Sequence, residues 1–162
     1  MKVVTLVIGL VLVIGFNAPA QAQDIEPLRM HDAHWIRDAG DRLARCAGIY
    51  RGAAAVMRDG GRAAGAAYAE SVASGALFAS YLLLTSPEAV AATVLHGIDA
   101  NVHIDALVWG TKRNFIGMEA EGAEQARLLR DCTTRTSALQ SAVLRSSWDA
   151  PVAATTAGRP KS

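Results

Sequence analysis

The chain has 162 residues, 16 lysines and arginines against 15 acids, and a hydrophobic share of 51%. That near-neutral balance gives no general electrostatic pull toward nucleic acid or an acidic surface, so no nucleic-acid partner is expected. The two cysteines are too few for a typical structural zinc site, and neither lies in a CxxC or CxxCH arrangement, which sets aside thioredoxin-like exchange and covalent haem attachment.

The N-terminus reads as a secretory signal peptide. Lys2 supplies a positive charge, Val3 to Phe16 is an uncharged apolar run, and Ala20-Gln21-Ala22 offers small residues where a signal peptidase cuts. As a helix the run reaches only about 21 Å, short of the roughly 30 Å bilayer core, so an uncleaved anchor is the weaker reading. Cleavage is expected after Ala22, with Ala20 as second choice. The chain then divides into a signal peptide (1–22), a helical domain (23–149) and a disordered tail (150–162), whose APVAATTAGRPKS holds two prolines and little hydrophobicity. The expected location is the periplasm or the extracellular space. In that oxidising setting Cys46 and Cys132 are expected to form a disulfide.

Helical spacing recurs throughout the remainder. Trp35, Ala39, Leu43, Cys46, Tyr50, Ala54 and Met57 fall at steps of three or four and predict a helix from His31 to Arg58. Asp38–Arg42 and Asp41–Arg45 sit at the four-residue spacing of supportive ion pairs. Asp59-Gly60-Gly61 supplies the stop. The segment Arg62 to Thr85 is rich in small residues, with Gly65, Ala69 and Ala73 on one line and Ser71, Gly75 and Ala79 on another, which lets a neighbouring backbone approach closely. A helix so apolar is normally central in its bundle or lies in a membrane. Its weakly inserting alanines and glycines, together with Glu70, argue against a span.

Ser86-Pro87-Glu88 reads as a helix start: a serine N-cap, proline at the first position and an acid near the positive helix end. The predicted third helix runs through Val90, Val94, Ile98 and Leu107 toward Trp109, with a break or bend at Gly110 to Asn114. A fourth, beginning near Met118, carries Leu129, Cys132, Thr136, Leu139 and Val143 on one stripe. Cys46 and Cys132 then lie on the apolar stripes of the first and last helices. The expected fold is an all-α antiparallel bundle of about four helices, clamped by one disulfide between the first and last. The stretch CAGIY (Cys46 to Tyr50) resembles segments of small secreted bacterial proteins, a resemblance over five residues that implies no activity.

The chemically richest stretch is HGIDANVHID, His96 to Asp105. On one helix His96, Asp99 and His103 share a face, but the two histidines stand about 10.5 Å apart along the axis, too far to grip one ion unaided. A metal site would need Asp99 with one histidine, plus His31 or His34 from helix one. The plainer reading is a polar surface edge in which Asp99 and His103 are an ordinary four-residue pair. A non-covalent haem between a histidine and Met30, Met57 or Met118 is weaker still, because methionines at such positions usually fill gaps. Trp35, Trp109, Trp148 and Tyr50 read as core anchors. No GxSxG elbow or phosphate-binding glycine loop occurs in the chain, so no catalytic residue and no cofactor is assigned. The expected role is that of an exported, non-catalytic protein that binds a protein or small ligand. The alternatives are a metal- or haem-binding bundle using His96, Asp99 and His103, and a peripheral membrane-associated protein.

Overall fold

The computed structural model describes residues 32–86, 89, 99–118 and 122–156, with no side-chain description beyond residue 145. Four helices make up these residues: α1 (Ala33–Asp59), α2 (Ala63–Leu84), α3 (Ala100–Gly117) and α4 (Gly122–Thr156). No strand occurs among them. The expected signal peptide (1–22), His31 and His96 lie outside the described residues.

Each boundary has a local cause. Asp32 is extended and its carboxylate accepts the Trp35 N–H at 2.8 Å, which caps α1. Gly61, with φ of 73°, takes the left-handed conformation that turns the chain from α1 into α2. Ser86 accepts the Ala89 N–H at 3.1 Å, the N-cap geometry expected there.

The third helix departs from expectation at both ends. Asp99 adopts an extended backbone and accepts the Asn101 N–H at 2.7 Å, so α3 starts afresh at Ala100 and residues 86–109 are not one helix. Gly110 does not break α3, which continues to Gly117. An interior glycine costs a helix only about 1 kcal/mol, and Ile104, Val108 and Phe115 are buried on either side of it. At the far end, Met118 closes α3 and α4 begins at Gly122. The α4 backbone passes Pro151 and reaches Thr156, inside the segment read as a tail.

Successive helices are antiparallel. Gly40 meets Leu84 while Ala54 clusters with Ala66 and Ala69, so α2 runs down α1 in the opposite sense. The contacts of Asp41 with His103, Gly48 with Val108 and Gly52 with Phe115 set α3 parallel to α1. The Cys46–Cys132 disulfide at one level, with Leu139 beside Trp35 and Ala39 at a lower one, brings α4 back down. The bundle and its disulfide between the first and last helices are therefore as the apolar stripes imply.

The helix at the heart of the bundle is α1. Its apolar stripe alone does not explain this, because Gly48, Ile49, Gly52 and Ala53 are buried as well. Glycines open three notches in it. A Cβ on Gly40 would stand 2.5 Å from Leu84 Cγ, one on Gly48 2.5 Å from the Val108 carbonyl, and one on Gly52 2.8 Å from Phe115 Cδ1. Neighbouring helices settle into these notches at close range. The fully buried Ser80 hydroxyl donates to the Gly40 carbonyl at 2.9 Å, which satisfies a polar group that would otherwise be costly inside the core.

The main core gathers Leu43, Leu83, Ile104 and Val143 from all four helices. Burying each such side chain contributes about 1.5–3 kcal/mol. A second cluster surrounds the disulfide with Ile49, Ala53 and Phe115. Thr136 is buried there and donates to the Cys132 carbonyl, with Cys46 Sγ 3.4 Å away. Although α2 passes a length-and-composition test for crossing a bilayer, Ala66, Ala69, Ala73, Ala76 and Leu83 are buried within the bundle.

Candidate functional site

The described part of HGIDANVHID separates into residues with different tasks. Asp99 is exposed and its carboxylate caps α3. His103, one turn on, points inward: its Nε2 lies 2.7 Å from Asp41 Oδ1, with the two side chains 17% and 19% exposed. Ile104 is fully buried and Asp105 is exposed, accepting the Tyr81 hydroxyl at 3.2 Å. On α1, His34 is exposed and lies 3.6 Å from Asp38. Asp38 and Asp41 thus face histidines, in place of the arginines their spacing suggested. Among the described residues no group of three His, Cys, Asp or Glu side chains converges as a metal site would require.

The feature that sequence reasoning missed is the outer face of α3. Val102 and Trp109 are each 64% exposed and Ile116 is 45% exposed. They recur every seven residues, so they form one stripe along the helix. The expectation that Trp109 anchors the core is corrected: Ile104, Val108 and Phe115 fill the inward positions and set the phase, which leaves the indole in solvent. Trp35 is half-buried against the main core, and Trp148 lies beyond the described side chains.

Charges frame the stripe. The Arg113 guanidinium sits 5.6 Å from the Trp109 ring centroid, a cation–π distance that holds the indole in place. Beside Trp109 a shallow cleft of about 540 Å³ opens between α3 and α1, lined by Arg51, Asp105, Ala106, Val108, Trp109 and Lys112. Arg51 also lies 4.0 Å from Glu70, which accepts from Arg58 at 3.3 Å. The Tyr81 phenol is held above the ordinary tyrosine range by desolvation first and by the Asp105 carboxylate second. It therefore stays protonated and keeps donating to Asp105 near neutrality.

This arrangement suits binding. An amphipathic indole, an exposed carboxylate and two cations can orient a partner. The side chains of the cleft lining are two cations, one carboxylate and apolar groups. Comparison with protein-family models, curated proteins and solved structures found no match to this chain.

Proposed function

We propose that the protein is an exported, non-catalytic binding protein whose working surface is the outer face of α3. The observation that carries this reading is the solvent-facing stripe of Val102, Trp109 and Ile116 on a helix whose opposite side is locked into the core. Scattered exposed apolar residues need no explanation, but three in register around a tryptophan have the composition of a contact centre. Arg51, Asp105 and Lys112 supply the polar margin that such a centre carries.

Export is supported by the Lys2, Val3–Phe16 and Ala20-Gln21-Ala22 pattern and by the Cys46–Cys132 disulfide, which suits an oxidising compartment. Cell fractionation with N-terminal mass analysis tests it. A protein beginning at Gln23 or Gln21 is expected, and a cytosolic protein retaining Met1 or Lys2 overturns it.

A photo-activatable side chain at Ala106, exposed beside Trp109, tests the binding surface in the native compartment. The control position is Ser71, exposed on α2. Covalent adducts to protein at Ala106 and not at Ser71 are expected. Equal labelling at both positions, or none at Ala106, overturns the reading.

A further inference from the structure

We propose that the α3 face is the seam of an antiparallel homodimer, with Trp109 next to the two-fold axis. The inference rests on the α3-face reading above and names its partner as a second copy of this chain. Val102 and Ile116 stand seven residues to either side of Trp109, about 10.5 Å each way along the helix. A two-fold axis perpendicular to α3 at Trp109 therefore lays Val102 of one copy against Ile116 of the other, twice. The apolar stripe is complementary to itself.

The charges obey the same symmetry. At about 100° per residue, Asp105 lies about 40° and Lys112 about 60° from Trp109 toward the same flank. Asp105 is about 6 Å before Trp109 along the axis and Lys112 about 4.5 Å after it. The two-fold keeps the flank and reverses the axis, so Asp105 of each copy comes opposite Lys112 of the other. Two such pairs bracket the tryptophans. Among the described residues Asp105 is engaged at Oδ1, by Tyr81, which leaves Oδ2 for this cation. On the other flank the axis sets the small side chain of Ala106 against Arg113, giving room to the guanidinium that stacks on Trp109. A parallel pairing, whose two-fold runs along the helix, keeps the height and swaps the flanks, so it would place Lys112 of each copy beside Arg113 of the other and leave Asp105 facing Ala106, which like-charge repulsion disfavours. Because α3 is only 18 residues long, the seam is at the small end of specific interfaces, and a reversible dimer follows.

Sedimentation equilibrium of the disulfide-bonded protein, from micromolar to several hundred micromolar, tests the proposal. The wild type is expected to show a concentration-dependent monomer–dimer equilibrium. Asp105→Lys and Lys112→Asp each create like-charge pairs and are expected to weaken it by about tenfold or more. Mixing the two single variants restores both opposite-charge pairs, so the mixture is expected to associate within about threefold of wild type. Each variant keeps its helical circular dichroism, which separates loss of the seam from loss of the fold. A wild type that stays monomeric throughout overturns the dimer, as does a dimer indifferent to the swaps or a mixture that fails to reassociate. The underlying reading is tested separately: adducts at Ala106 to a different protein, with a monomeric wild type, sink the dimer and keep the face, whereas no adduct at Ala106 sinks both.

Discussion

The imidazole of His103 meets the carboxylate of Asp41 at 2.7 Å across the seam between α1 and α3, with both side chains largely shielded from water. This contact crosses 62 residues of sequence and ties the start of α3 to the first third of α1. Just before it Asp99 caps α3, and just after it Ile104 enters the core. The pair therefore reinforces the rotation that Ile104, Val108 and Phe115 give α3, and with it the outward aim of Val102 and Trp109. Asp41→Ala and His103→Ala are each expected to lower stability by about 1–2 kcal/mol. Their double mutant should fall short of additivity by about 1 kcal/mol, measured by urea unfolding. Strict additivity would show that the contact contributes nothing.

The glycine notches of α1 make a sharper expectation. A Cβ at Gly48 would stand 2.5 Å from a backbone carbonyl and 2.9 Å from Thr111 Cβ, neither of which can swing aside. Gly48→Ala is expected to cost about 1–3 kcal/mol despite alanine's better helix propensity. Gly110, inside α3, has nothing within 4 Å of its would-be Cβ. Gly110→Ala should accordingly stabilise the protein by about 0.5–1 kcal/mol. Thermal unfolding of the two variants should move Tm in opposite directions, and a shared direction would refute the notch argument.

The disulfide joins α1 and α4 with a separation of 86 residues. Closing so long a loop restricts the unfolded chain, and Cys46→Ala with Cys132→Ala is expected to lower stability by about 2–4 kcal/mol. Ile49, Ala53 and Phe115 still cluster there, so the bundle should remain helical at low temperature. Hydrogen exchange should show α4 amides losing protection before those of α1, and simultaneous loss in both would place the clamp elsewhere.

What was legible in the sequence follows from what periodicity encodes. Cys46 and Cys132 each lie on an apolar stripe, and a stripe reports which side of a helix is buried. The pairing of the outer helices could therefore be inferred and is found. Periodicity does not report where a helix begins: apolar residues run on through Val94, Ile98 and Leu107, while the start of α3 depends on a single carboxylate turning back to Asn101. Nor does it distinguish a glycine that weakens a helix from one that admits a neighbour, which is why Gly48 and Gly52 passed unnoticed. Trp109 was misplaced for a related reason. It is large and apolar, but it falls one position past Val108, and the phase of α3 is set by Ile104, Val108 and Phe115 together. The Asp41–His103 contact had no local signal, since its partners meet only after α3 has docked.

Alkaline pH gives a last test, on the α1–α4 side of the bundle. Burial pushes the Tyr50 phenol above the ordinary tyrosine range, partly opposed by its hydrogen bond with Thr133 and assisted by Tyr68. The folded state then holds the phenolic proton more tightly than the unfolded chain. The associated stability is fully present below a pH of about 10, the unfolded value, and is lost as pH rises through the folded one. Tyr81 shifts in the same direction, by desolvation first and then through Asp105, so two phenols contribute to the same decline. Tyr50→Phe is expected to lose about 1 kcal/mol at neutral pH, the hydrogen bond to Thr133, and to show a shallower decline above pH about 10. Tyr50→Phe with Tyr81→Phe should flatten the decline further. Urea midpoints across this range for the three proteins provide the measurement, and parallel curves would mean that neither phenol is coupled to folding.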